Sequence, residues 1–223
     1  MPGLPLRKTC SVNNGNTVNF TSKYNIVVLG GQSVGKSAII SQFLYDKFLP
    51  KHRETIEDLH EANYDIDRKY LTFNITDTNG LQMFPAQIRL NIQKAEGFVL
   101  VYSITDKDSF KLLAELRRMI FDGRERRVPI VVVGNKCDLE NDRQVPRITS
   151  EVLVNVEWGH AFIEASAKEN INIVDIFKEF LKEAHLPYAL SPAVKRRRMS
   201  MPVSIEVKPK KKSLVKRNSC TIS

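Results

Sequence analysis

Cysteines and long hydrophobic runs are scarce in this chain, and each scarcity excludes a class of protein. The 223 residues include only three cysteines, Cys10, Cys137 and Cys220, which lie far apart and form no CxxC pair. A disulfide framework is therefore not expected, and the composition suits a reducing compartment. No apolar stretch approaches the roughly 18 residues of a transmembrane helix, and no apolar signal core is expected near the N-terminus. The four histidines show no metal-ligand spacing.

Acidic residues are scarce in one region, the C-terminal tail. Residues 186–223 hold ten of the 34 Lys and Arg residues but only one of the 25 Asp and Glu residues. Residues 1–185 are therefore neutral overall, with 24 residues of each sign. A basic tail can bind nucleic acid, a nuclear import receptor or an anionic membrane, so all three partners stay open at this point.

The composition divides the chain into three parts. Residues 1–21 are polar and rich in Asn, Ser and Thr, and we predict that they form a disordered extension. Residues 22–186 alternate between apolar runs and helical repeats, which predicts one folded domain. The sequence LSP stops the last helical repeat, and residues 187–223 are expected to form a basic tail outside the domain.

Strand and helix patterns alternate through the predicted domain. Continuous apolar runs at 23–30, 97–104 and 129–135 are typical of strands buried on both faces of a sheet. The segments 60–66 and 70–78 indicate a hairpin. With a sixth strand in AFIEAS, the pattern predicts an α/β fold with a six-stranded, mostly parallel sheet and helices on both faces.

Helical spacing occurs between these strands. The segment 108–123 is amphipathic, with Asp108 or Ser109 near its N-cap and Gly123 at its end. Further helices are predicted over 36–48, 148–159 and 172–186.

The segment GGQSVGKS, residues 30–37, follows the first predicted strand and opens a helix. It matches the pattern G-x-x-x-x-G-K-[ST] of a phosphate-binding loop in the required context. Glycines let backbone N–H groups curl around phosphate oxygens, and the helix N-terminus adds positive potential. Lys36 would reach the β- and γ-phosphates, and the Ser37 hydroxyl would bind Mg²⁺. The predicted loop contacts are Gly30, Gly31, Gln32, Ser33, Val34, Gly35, Lys36, Ser37 and Ala38.

The segment NKCD, residues 135–138, ends another predicted strand and favours guanine over adenine. The Asp138 carboxylate can accept two N–H donors from the guanine edge, a pair that adenine lacks. Asn135 can hold the neighbouring loops and the N7 side of the purine. The stem of Lys136 can cover the face of the base.

The segment ASAK, residues 165–168, strengthens this interpretation because it ends the sixth predicted strand. The backbone amide of Ala167 can point at guanine O6. Ser166 and Lys168 flank that amide and are included in the predicted base site.

Five motifs in order resemble those of Ras-superfamily small GTPases from about Tyr24 to Leu186. They are GGQSVGKS, ETIED at 54–58, DTNG at 77–80, NKCD and SAK. The details TIED, FPA and LP...SP resemble the dexamethasone-induced Ras and striatum-enriched Ras homologue branch. The resemblance implies a P-loop G domain that binds GTP or GDP with Mg²⁺, hydrolyses GTP and acts as a switch in signal transduction.

The resemblance also implies roles for further residues. Phe48 matches the aromatic residue that covers guanine, and Thr55 matches the threonine that binds Mg²⁺ and senses the γ-phosphate. Asp77 would reach Mg²⁺, and the Gly80 amide would bind the γ-phosphate. The predicted contacts with effector and regulator proteins are Glu54, Thr55, Ile56, Glu57 and Asp58.

Two positions depart from the family's catalytic pattern. Leu81 stands where most relatives carry the glutamine that orients the attacking water. Gln32 stands where relatives with fast assisted hydrolysis have glycine. We therefore expect slow GTP hydrolysis, with a largely GTP-loaded adaptor of negligible turnover as the alternative.

The chain ends in CTIS, which fits C-a-a-X and makes Cys220 a candidate for farnesylation. One lipid rarely anchors a protein, and the basic tail supplies a second attraction to an anionic membrane. We expect the cytoplasmic face of the plasma membrane, with the nucleus possible for the unprenylated form. Nucleic acid is then not expected as a partner. KRRRMS also resembles a basic-directed kinase site, with Ser200 as acceptor.

Overall fold

The computed structural model describes residues 8–12, 18–48, 57–66, 69–78, 85–124, 128–186 and 190–200. The strands are β1 Lys8–Val12, β2 Val18–Gly30, β3 Glu57–Ile66, β4 Lys69–Thr78, β5 Gly97–Ser103, β6 Ile130–Asn135 and β7 Ala161–Ala165. The helices are α1 Lys36–Tyr45, α2 Pro85–Lys94, α3 Lys107–Asp122, α4 Arg147–Glu151, α5 Ile173–Glu183 and α6 Leu190–Ser200.

Six strands form the predicted, mostly parallel sheet, in the order β3-β4-β2-β5-β6-β7. Strands β3 and β4 are the predicted antiparallel hairpin, while β2 pairs in parallel with β4 and β5. Strands β5 and β6 are buried along their whole length, which accounts for their unbroken apolar sequence. The predicted fold class is confirmed.

Strand β1 is a correction to the sequence interpretation. Residues 1–21 were expected to be disordered, but Lys8–Val12 pairs antiparallel with the start of β2. The reason lies in the length of β2. Strand β5 pairs only with its last part, Ile26 to Gly30, so the earlier part of that edge is available to β1.

Helices cover both faces of the sheet, as predicted. One core cluster joins α1, α5 and α6 to the sheet and includes the stacked rings of Phe43 and Phe177, 3.6 Å between centroids. The other joins α2 and α3 to the opposite face and includes Leu113 and Val132. No helix in the described ranges is both long and apolar enough to cross a membrane.

The ends of two helices differ from the expectation. The N-cap of α3 is Asp106, whose side chain accepts hydrogen bonds from the backbone N–H groups of Asp108 and Ser109. Gly123 ends the helix, as predicted. The helix expected over 148–159 is α-helical only in α4 and continues as a π-helical segment, Val152–Glu157.

Helix α6 is a second correction, because the tail was expected to lie outside the domain from residue 187. Its apolar side chains Leu190, Ala193 and Val194 are buried in the cluster with α1 and α5. Pro192 misled the interpretation, since proline ends a helix interior but is tolerated in a first turn. The folded body therefore includes residues 190–200.

Replacing Val194 tests the packing of α6. The Val194 side chain is 3% exposed, whereas Met199 on the same helix is 79% exposed. Val194→Asp would bury an unpaired charge, so we expect the free energy of unfolding to fall by about 3 kcal/mol. Met199→Asp should change it by less than about 0.5 kcal/mol. Equal unfolding free energies in chemical denaturation would show that α6 is not packed on the domain.

Candidate functional site

The sheet brings the polar segments predicted from sequence to one edge. Gly30, Asp77 and Asn135 lie at or near the carboxyl ends of β2, β4 and β6, which run in parallel. Asn135 is in register with Ala165 of β7, so the ASAK segment begins beside NKCD. Open α/β sheets bind ligands at this edge.

Gly35 lets the loop at 30–37 pass close to β6. Its φ is +99°, and a Cβ there would lie 2.2 Å from Asn135 Nδ2. Neither the left-handed conformation nor the contact tolerates a side chain. Gly31 differs, because a Cβ there would meet its nearest neighbour, Ser109, at 3.5 Å. Position 35 therefore requires glycine, whereas position 31 has room for a small side chain.

The Lys36 ammonium lies inside the curve of the loop. It is buried and donates hydrogen bonds to the carbonyl oxygens of Gly30, at 3.1 Å, and Gly31, at 2.6 Å. Burial lowers the pKa of Lys36 to about 8, although the negative charge of Asp77 opposes the shift. Lys36 also begins α1, so its charge and the helix N-terminus favour the same anion.

Asp77 supplies an oxygen that suits a hard cation. The residue is 2% exposed, and its Oδ1 atom has no hydrogen-bond partner within the described part of the chain. Burial raises its pKa, while a hydrogen bond from Ser37 and the charge of Lys36 oppose the shift. No group of three or more His, Cys, Asp or Glu side chains in the described ranges could hold a metal. One carboxylate and one hydroxyl fit Mg²⁺, which takes its other ligands from phosphates and water.

Asn135 joins two loops that no strand pairing connects. Its side-chain amide donates to the Val34 carbonyl, at 2.8 Å, and its Oδ1 accepts from the Ala167 amide, at 3.2 Å. Asn135 thus holds the neighbouring loops, as the sequence suggested. The Ala167 amide was expected to bond guanine O6, and to do so it must share or leave its bond to Asn135.

Asp138 is fixed by the ASAK segment. Its Oδ1 accepts from the Ser166 hydroxyl at 2.6 Å, and its Oδ2 lies 4.0 Å from Lys168 Nζ. Lys136 adopts a left-handed conformation, with φ of +67°, which turns the chain between Asn135 and Asp138. The carboxylate thus has a fixed direction beside the loop that carries Ala167.

Comparison with known proteins agrees with this geometry. The sequence model described as the Ras family matches residues 25–186. The chain belongs to the Ras family. It is 37% identical over 201 residues to the GTP-binding protein Rhes of Mus musculus and of Rattus norvegicus, covering 85% of this chain and 75% of each relative. The human protein of that name is 36% identical over 203 residues, with 86% and 76% covered.

The identity with Rhes agrees with the branch that the sequence motifs suggested. Ras-family proteins are GTPases that bind GTP or GDP with Mg²⁺, and this chain is a small GTPase that converts GTP to GDP and phosphate. The loop at 30–37, Asp77, NKCD and ASAK, which the sequence predicts to form the nucleotide site, lie together at one edge of the sheet.

Several predicted site residues have no structural test in this Ras-family chain. Those outside the described residues are Glu54, Thr55, Ile56, Gly80, Leu81 and Cys220. Asp58 lies exposed on β3, directly after Glu57 at the start of that strand. Phe48 and Gln32 are also exposed. The nucleotide, metal and effector roles of all these side chains stay predictions.

Sequence reasoning missed one contact at the site. Asp46, the C-cap of α1, accepts a hydrogen bond from Asn170 Nδ2 at 3.0 Å. Asn170 follows the ASAK segment by two residues, and 124 positions separate it from Asp46. No family motif includes either residue, so only the folded chain reveals the pair.

Substitution of Gly35 tests the geometry of the Ras-family phosphate loop. Gly35→Ala would force Asn135 away from the loop, and we expect GDP affinity to fall at least about tenfold, or 1.4 kcal/mol. Gly31→Ala is the matched control, because its Cβ has room, and its affinity should stay within about threefold. Titration with fluorescent GDP measures both variants. Equal affinities would contradict the close approach of Gly35 to Asn135.

Proposed function

We propose that the chain is a membrane-attached guanine-nucleotide switch that hydrolyses GTP slowly. The observation that carries the proposal is a mismatch within one site. Groups suited to binding are present in Lys36, Asp77, Asn135 and Asp138, whereas Gln32 places a long exposed side chain in the phosphate loop. Such a site retains nucleotide better than it turns it over.

Mg²⁺ would be held by Ser37 and Asp77, with Thr55 as a further ligand in the GTP-bound protein. When bound, the ion supplies positive charge that stabilises the phosphate oxygens. Asp77 suits this role because one of its oxygens is buried and has no hydrogen-bond partner in the described part of the chain, and burial raises its pKa, so a nearby cation would favour the carboxylate. Ser37 already lies within hydrogen-bond reach of that carboxylate.

Slow hydrolysis follows from side-chain chemistry at two positions. In-line attack needs a water held against the γ-phosphate and donors around the charge that develops there. Leu81 can neither donate nor accept a hydrogen bond, so it cannot hold the water. Gln32 would crowd the transition state and obstruct an incoming arginine. The two defects act on the same step.

Repair of both positions should therefore be non-additive. Leu81→Gln alone should help little because Gln32 still crowds the restored glutamine, and Gln32→Gly alone leaves the water unheld. The double variant should hydrolyse GTP faster than the product of the two single effects, with changes on the order of tenfold. GTP affinity should stay nearly constant, since Lys36 and Asp138 are unchanged.

Single-turnover hydrolysis of the four proteins measures this coupling. A double variant no faster than the product of the single effects would show that the two side chains do not obstruct one transition state. If the unmodified protein already matches the double variant, Leu81 is not a catalytic defect and another group positions the water.

Membrane attachment would use a farnesyl group on Cys220 and the basic tail. Arg196, Arg197 and Arg198 bond to the domain, so attraction to an anionic leaflet would rest chiefly on the six basic residues from Lys208 to Arg217. Each contributes on the order of 1 kcal/mol near such a surface. The expected location is the cytoplasmic face of the plasma membrane, with the nucleus as the destination of unprenylated chains.

Cys220→Ser tests the lipid. We expect this variant to move from the membrane fraction to the cytosol or nucleus, because the basic residues alone bind too weakly and reversibly. Cys10→Ser removes a different cysteine and should leave the distribution unchanged. Fractionation and fluorescence imaging measure the result. Unchanged membrane association of Cys220→Ser would contradict the lipid anchor.

A second candidate function is a largely GTP-loaded adaptor with negligible turnover, which Gln32 and Leu81 also favour. Effector and regulator proteins would contact Glu54, Thr55, Ile56, Glu57 and Asp58 in either case. The nucleotide that co-purifies with the protein distinguishes the two. Mostly GDP favours the switch, and mostly GTP with no single-turnover hydrolysis favours the adaptor.

A further inference from the structure

Two arginines of α6 bond to the last turn of α1. Arg198 Nη2 donates to the carbonyls of Gln42, at 2.6 Å, and Phe43, at 3.0 Å. Arg197 Nη1 donates to the carbonyl of Leu44 at 2.9 Å. The last carbonyls of a helix have few partners within the helix, and the partial negative charge there favours a cation. The Gln42 carbonyl also accepts a hydrogen bond from the backbone N–H of Asp46, at 3.1 Å. The C-terminal helix thus supplies the groups that complete α1.

Arg198 also reaches the turn that follows α1. Its Nη1 donates to Asp46 Oδ1 at 2.8 Å, and the same oxygen accepts from Asn170 Nδ2 at 3.0 Å. A backbone bridge between Ser166 and Ile171 closes the loop that carries Asn170. Two hydrogen bonds through one carboxylate therefore connect the C-terminal helix to the loop that bonds Asp138 and Asn135.

We propose that Arg198 is a positioning residue for the guanine nucleotide. By bonding to the end of α1 and to Asp46, it holds two segments in the arrangement that retains nucleotide. They are the ASAK loop and the turn that leads from α1 to Phe48. Loss of the contact should speed nucleotide release. The proposal rests on guanine-nucleotide binding by this chain and adds a residue that lies outside every nucleotide motif in its sequence.

The position of Arg198 depends on the docking of α6. A helix of eleven residues is marginal in water by itself, so α6 is ordered by its buried face of Leu190, Ala193 and Val194. Arg196 lies on the same helix but donates to the Asp65 carbonyl on β3, at 2.9 Å. Replacing Arg196 therefore removes one arginine bond without touching α1, which makes it the matched control.

The experiment uses the full chain loaded with fluorescent GDP in excess Mg²⁺ and measures the rate of release into unlabelled GDP. Arg198→Ala should release GDP about tenfold faster. Arg196→Ala should stay within about twofold of the unmodified rate. Arg198→Lys should give an intermediate rate, because an ammonium can bond Asp46 but lacks the second nitrogen that reaches the carbonyls of Gln42 and Phe43 at the same time.

A double-mutant cycle separates positioning from general stability. Asp46→Asn should also speed release, and in the Asp46→Asn protein the effect of Arg198→Ala should be clearly smaller than about tenfold. Arg198→Lys and Asp46→Asn keep the test available if Arg198→Ala fails to fold.

Two results would overturn the proposal. One is equal acceleration by Arg196→Ala and Arg198→Ala, which would mean that α6 only stabilises the fold. The other is an unchanged release rate in Arg198→Ala and Asp46→Asn. An unmodified chain that binds no GDP would instead contradict nucleotide binding itself, and titration before the release experiment distinguishes that case.

Discussion

The two hydrogen bonds of the Asn135 side-chain amide are the interaction on which the rest of the site depends. The phosphate loop and the ASAK loop follow different strands, and β5 and β6 lie between them in the sheet. Asn135 bonds to both loops from the buried end of β6, where strand pairing fixes its backbone. Position 35 requires glycine because its backbone is left-handed and because this amide occupies the space that a side chain would need. One side chain therefore ties the phosphate loop to the loop that is predicted to contact the base.

Lys36 and Asp77 show how the site is prepared for charge. Burial lowers the pKa of Lys36 and raises that of Asp77, so it favours the neutral form of each group. The opposite charge of the other group compensates only in part. Phosphates beside Lys36 would favour its ammonium, and a cation beside Asp77 would favour its carboxylate. Ligand binding thus relieves a cost that the folded chain already carries.

The six-stranded sheet could be predicted from the sequence because short unbroken apolar runs that alternate with helical repeats are typical of buried parallel strands. The site segments could be predicted because their residue types are rare together. Prediction failed where structure depends on distant partners. Strand β1 exists because part of the β2 edge is left open, and α6 because an apolar face meets α1 and α5. The N-cap Asp106 was missed for a local reason, because several polar residues near that end of the helix could each serve as the cap. The bond between Asp46 and Asn170 has no local signature at all.

Helix α6 extends the folded domain of this protein beyond the part that matches the family. The family match ends at residue 186, so a fragment that ends there would lack α6. Such a cut would expose the apolar surface that Leu190, Ala193 and Val194 cover, and would leave the carbonyls at the end of α1 to water. On the proposed role of Arg198, nucleotide exchange rates measured on that fragment would differ from those of the chain through Ser200.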